Sequence, residues 1–127
     1  MGKTLVMHVD EASWIYGVAP APGEQVRYAE QLFGDLENGP WVHIITMMEP
    51  GYAADVHCHS QDEVIYIMEG EMILNGQSHR PGTVIYMEKE TDYGFTVGPE
   101  GVRFMEMRPG RAQYRRQGGE WGVFADH

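Results

Sequence analysis

Gly51-Tyr-Ala-Ala-Asp-Val-His57-Cys-His59-Ser-Gln-Asp-Glu63-Val-Ile-Tyr-Ile-Met-Glu-Gly70 is the stretch whose reading decides the fold. His57 and His59 are two residues apart, so an extended strand presents both imidazoles on one face. Glu63 follows four residues after His59 and keeps the same phase. Two imidazoles and a carboxylate on one face form a ligand set for a divalent transition metal. Gly51 and Gly70 at either end suit tight turns that would bound a hairpin.

Working outward, the flanking sequence reads as short strands with turns between them. Trp41 to Met48 is rich in β-formers and ends at Glu49-Pro50-Gly51. Val56 to Cys58, Glu63 to Met68, Met72 to Leu74, Thr83 to Met87, Tyr93 to Val97 and Val102 to Met107 follow. Turn signals separate them at Glu69-Gly70-Glu71, Asn75-Gly76, Pro81-Gly82 and Gly98-Pro99-Glu100-Gly101. Strands recurring roughly every 8–12 residues predict an antiparallel sandwich or barrel over residues 41–110. Residues 1–40 read as an N-terminal extension that packs on the barrel or on a dimer partner. Within it, 4–9 is a predicted strand, 10–23 is irregular, 24–33 is helix or strand, and 34–40 is a loop. Residues 111–127 form a C-terminal tail, polar to Gly119, with Trp121 to Phe124 able to dock on the domain.

The whole chain sets outer bounds. Its 127 residues make one domain with room for a single core. A net charge of −10 argues against nucleic acid and against anionic membrane surfaces. No run approaches the ~18 apolar residues of a membrane span. The first residues lack a secretory apolar region, and Val6 stands where N-myristoylation wants Ser or Thr. The single cysteine excludes an intrachain disulfide and fits a reducing compartment. The expected location is the cytoplasm.

Gly51, His57, His59, Glu63 and Gly70 fill every fixed position of the first motif of the cupin superfamily, G-x5-H-x-H-x3,4-E-x6-G. The chain therefore resembles a small single-domain cupin over about residues 41–108. The resemblance implies an all-β double-stranded β-helix, the cupin jelly-roll barrel, with an N-terminal extension of strands. It also implies a metal in the barrel mouth, bound by His57, His59 and Glu63. The second cupin motif, G-x5-P-x-G-x2-H-x3-N, is degenerate. In register from Gly82 it places Glu88, Glu90, Tyr93 and Val97 at the Pro, Gly, His and Asn positions. Tyr93 thus stands where the family has a third histidine. Three roles are open to it: a phenolate ligand, a hydrogen-bond donor or acid/base beside a three-ligand site, and simple packing.

Other residues read more plainly. Strand alternation turns Cys58 away from the metal, sets Ile65 and Ile67 toward the barrel interior, and turns Tyr66 outward. His43 reads as structural, and His8, His79 and His127 as solvated. The methionines on predicted strands read first as core, with an adaptable apolar pocket as the sharper alternative. Glu88, Glu90 and Asp92 read as a solvated turn. A substrate carboxylate would need Arg103, Arg108 or Arg111 inside the cavity, and phase does not choose among them.

The expected function is a mononuclear metal enzyme acting on a small organic molecule. Iron is the first expectation, with manganese, nickel, cobalt or zinc as alternatives. A 2-His-1-carboxylate set suits an Fe(II)-type dioxygenase. The alternatives are a non-redox isomerase or lyase with Tyr93 as acid or base, and a non-catalytic binding or sensing cupin. The resemblance further suggests a homodimer.

Overall fold

The computed structural model describes residues 2, 4, 6, 8–11, 14–16, 26–32, 40–110 and 112–122, the strands over 14–16 and 26–32 by their backbone. Among the described residues, nine strands follow one 3-10 turn at Val9–Glu11. They are β1 (Trp14–Tyr16), β2 (Val26–Leu32), β3 (Trp41–Met47), β4 (His57–His59), β5 (Glu63–Leu74), β6 (Gln77–His79), β7 (Val84–Met87), β8 (Phe95–Arg108) and β9 (Tyr114–Arg116). Among the described residues there is no α-helix, and no helix is long and apolar enough to cross a membrane.

All pairings are antiparallel. The large sheet runs β1-β2-β3-β8-β5-β6, with β7 added beside β5, and β4 pairs β9 in a small second sheet. Single bridges join Ala53 to Thr96 and His57 to Tyr93, so residues 51–59 lie along the chain that leads into β8. This is a double-stranded β-helix, as the cupin resemblance implied, within the antiparallel sandwich or barrel that the strand spacing predicted. Its core contains Ile65, Ile67, Met72, Val97, Val102 and Phe104, all but fully buried, with Phe95 edge-on to Phe104 at 5.7 Å. Ile65 and Ile67 face inward, and Tyr66 between them is exposed, as period 2 requires.

Three sequence expectations change. Of the predicted strand at 4–9, Val9 opens the 3-10 turn and the described Thr4, Val6 and His8 lie outside any element, while Leu5 and Met7 lie outside the described residues. The segment left between helix and strand is β2, which pairs with β3 along its whole length. Glu69-Gly70-Glu71 and Gly98-Pro99-Glu100-Gly101 do not separate strands: each lies inside one long strand, β5 or β8. The two strands bend together. Their register slips between Ile67 and Glu69 and again between Gly70 and Met72, the mark of bulges. Gly70 has φ +76°, and a Cβ there would stand 2.0 Å from the carbonyl oxygen of Gly101. A positive-φ glycine serves a turn and a bulge alike, which is why sequence did not distinguish them.

Gly70→Ala is expected to lose on the order of 2–4 kcal/mol, combining left-handed strain with overpacking. Gly76, with φ +75° and open space around its Cβ direction, carries only the strain, so Gly76→Ala is expected to lose about 1–2 kcal/mol. Urea denaturation of both variants measures the difference.

Candidate functional site

The site lies where β4, the end of β8 and the start of β5 converge, with β9 beside them. β4 presents His57 and His59, buried and half-buried, while Cys58 between them is fully buried on the other face. The turn at residues 60–62 returns the chain so that Glu63, at the first position of β5, is 2% exposed. Tyr93 is bridged to His57 by paired backbone hydrogen bonds of 2.9 and 2.8 Å, and its ring lies 4.6 Å from the His57 ring. Tyr114 on β9 stacks on His57 at 4.9 Å. The sequence-predicted residues His57, His59, Glu63 and Tyr93 are thus brought together.

Two further side chains complete the cluster. On β8, Phe104, Glu106 and Arg108 alternate inward, and Glu106 and Arg108 are 6% and 8% exposed. Glu106 lies opposite Ile65 of β5 and opposite His43 of β3. His43 therefore shares the inner face with Glu106, although it reads as structural in the sequence. Of the three arginines, Arg108 is the inward one. Arg103 reaches Thr46 and Glu69, and Arg111 lies outside the described residues. The period-2 pattern Phe104-x-Glu106-x-Arg108 was the available signal for both, once Phe104 is taken as core.

Glu63 is the centre of a tight network. Its Oε1 accepts the Tyr93 hydroxyl at 2.5 Å. Its Oε2 accepts Nε and Nη2 of Arg108 at 3.1 and 2.9 Å. Arg108 Nη2 also bonds Glu106 Oε2 and donates to His59 Nε2 at 3.2 Å. Since a guanidinium only donates, His59 carries its proton on Nδ1. His57 Nδ1 donates to the Asp55 carbonyl at 2.6 Å. Both rings therefore direct an Nε2 lone pair away from their Nδ1 protons, and His57 is pinned by the kind of backbone carbonyl that orients ligating histidines.

Burial sets the proton affinities. It holds His57 below the ordinary histidine range, and it pushes His59, with help from Arg108 and His57, down to about 2. Tyr93 is raised well above 10 by burial and by the Glu63 charge beside it. Burial and Glu63 push Glu106 up to about 8. Burial works against the Arg108 charge, but Glu106 and Glu63 outweigh it, so Arg108 stays protonated.

The donor set fits a divalent metal in chemistry: two neutral imidazoles, two carboxylates and a phenol. Among the described residues, no group of three His, Cys, Asp or Glu side chains is placed to hold a metal as it stands. The physical reason is Arg108, whose guanidinium is wedged between His59, Glu63 and Glu106. His57 Nε2 can meet a metal directly, and His59 Nε2 can once Arg108 Nη2 withdraws from it. Glu63 would hold it through a lone pair that Tyr93 and Arg108 leave, or after Arg108 withdraws.

No family model matches the chain. Among solved structures, it superposes on a candidate acetylacetone dioxygenase from Methylibium petroleiphilum PM1 with a TM-score of 0.74 and 17% identity, covering 98% of this chain and 89% of that one. An RmlC-like cupin from Ralstonia eutropha JMP134 superposes with a TM-score of 0.73 and 13% identity, covering 95% and 78%. This chain has the cupin fold. Among curated proteins, the cupin chain is 32% identical over 94 residues to dimethylsulfoniopropionate lyase DddW of Ruegeria pomeroyi, 69% of this chain and 60% of the relative. It thus spans about three fifths of the length of that relative.

The shifted groups give the metal-free protein a two-sided pH dependence. His57 and His59 have lowered folded values, so the unfolded chain takes up more protons below about 6.5 and stability falls as pH drops. Glu106 has a raised folded value, so the folded chain keeps a proton that the unfolded chain releases, and stability falls as pH rises from about 4.5 to about 8. Above pH 6.5 only the second effect remains. Urea denaturation of metal-free protein from pH 4 to 9 is expected to show a maximum near pH 6.5, and Glu106→Gln is expected to flatten the alkaline side.

Proposed function

We propose that this cupin is a metal-dependent enzyme that carries out lyase or isomerase chemistry on a small organic molecule. The observation that carries the reading is Tyr93, buried at the position of the missing third histidine with its hydroxyl held on Glu63 at 2.5 Å. A phenol in that place is a proton donor adjacent to the metal position, where an open third-histidine site would offer another ligand. The 32% identity to a lyase adds independent support for non-redox chemistry.

His57 and His59 would hold the metal through Nε2, with Glu63 as the carboxylate donor. When bound, the metal supplies a Lewis acid that polarises a substrate oxygen. Tyr93 keeps its proton at neutral pH because burial and Glu63 both oppose the phenolate. It therefore serves as a general acid, giving its proton to a leaving group as the bond to carbon breaks, or to an enolate carbon. Glu63 fixes the direction of the hydroxyl, and in the metal-free protein Arg108 fixes Glu63. The apolar wall of Ile65, Ile67 and Phe104 below Glu63 keeps bulk water from that side.

Fe(II)-type dioxygenase chemistry is the second reading, favoured by the 2-His-1-carboxylate set itself. Turnover under strictly anaerobic conditions separates the two: the lyase reading requires that activity persist without O₂, and O₂-dependent loss of substrate would overturn it. Removing the metal with a chelator is expected to abolish turnover under either reading. Tyr93→Phe is expected to lower kcat by about 10²–10⁴-fold with metal content unchanged, the range of a lost general acid. Unchanged kcat in that variant would remove Tyr93 from the mechanism.

A further inference from the structure

We infer that Arg108 is a tethered cation standing at the metal position, and that Glu106 belongs to the ligand shell a metal would take over from it. The inference rests on the proposed metal dependence and deepens it. Its basis is one atom. Arg108 Nη2 lies 3.2 Å from His59 Nε2 and 2.9 Å from Glu63 Oε2, and it also bonds Glu106 Oε2. Three acceptors from three strands, β4, β5 and β8, therefore surround a single nitrogen that carries two protons. One imidazole nitrogen and two carboxylate oxygens around a positive centre make a metal-like shell, in which the His59 and Glu63 contacts are about 1 Å longer than the ~2.0–2.2 Å of nitrogen and oxygen ligands on zinc.

Charge explains why something positive must stand there. Glu63 and Glu106 are both buried, and both meet Arg108. Unpaired, two adjacent buried carboxylates would repel and lose their hydration. The single positive charge of the guanidinium balances one of the two without an external ion. A divalent cation would do so more fully, but it and the guanidinium cannot share one point. Binding of one therefore displaces the other. Tyr93 does not fill the place of the third histidine as a ligand, because its hydroxyl is donated to Glu63. Glu106 supplies the remaining hard donor from β8, on the inner face it shares with His43.

The test is cobalt binding to metal-free wild type, Arg108→Met and Glu106→Gln, by equilibrium dialysis with the visible Co²⁺ spectrum as a record of coordination. Arg108→Met is expected to bind Co²⁺ at least tenfold tighter than wild type and to melt lower when metal-free, with the loss restored by Co²⁺. Glu106→Gln keeps a hydrogen-bond acceptor for Arg108 and is expected to bind at least tenfold weaker, with an altered spectrum. If Arg108→Met folds only with Co²⁺ present, that outcome also supports the inference, as does Co²⁺ binding by Arg108→Met alone. Wild type that binds while Arg108→Met binds equally or more weakly, or an unchanged Glu106→Gln, overturns this inference and leaves metal dependence standing. Absence of binding in all three proteins overturns both.

Discussion

A buried carboxylate with no solvent must find partners, and in this chain Glu63 finds them on two sides. Tyr93 donates to one oxygen and Arg108 forks onto the other. Each partner is itself buried, so neither bond competes with water and each is directionally strict. Much of the site follows from satisfying this one group. Tyr93 is held with its hydroxyl on Glu63, Arg108 is drawn across the barrel, and Glu106 is brought in as the second carboxyl partner of the guanidinium.

The backbone makes that convergence possible. β5 and β8 are long strands that pair along most of their length, and glycine bulges let both curve without breaking. The curvature lets a single strand, β8, contribute Phe95 and Phe104 to the core and Glu106 and Arg108 to the site. β9 adds the small sheet beside β4 and sets Tyr114 against the histidine pair, so part of the C-terminal segment belongs to the site.

Much of the fold was legible because its signals are local. Alternation around Ile65-Tyr66-Ile67 and around His57-Cys58-His59 identified faces correctly, since side-chain direction in a strand depends on the backbone alone. The misread segments were those where one residue type serves two geometries. Gly70 and Gly101 take positive φ in bulged strands as readily as in hairpin turns. Within the N-terminal region, β2 acquired strand character by pairing with β3. Arg108 was one of three candidate arginines that phase did not separate, and Glu106 escaped because charged residues on a strand are usually read as solvent-facing; only the neighbouring strands make their face the interior.

The sequence by itself determined the all-β fold and the histidine pair with its glutamate. Hydrophobic period, turn residues and motif spacing are properties of short segments and survive without tertiary context. Only the tertiary structure decided what surrounds Glu63. Arg108 and Glu106 lie more than forty residues further along the chain, and no local pattern records that β8 returns beside β5. The desolvation that raises Tyr93 and Glu106 and lowers His59 arises only when those strands close over one another. A charge buried that way must be answered by another charge, and which residue answers it is settled by packing.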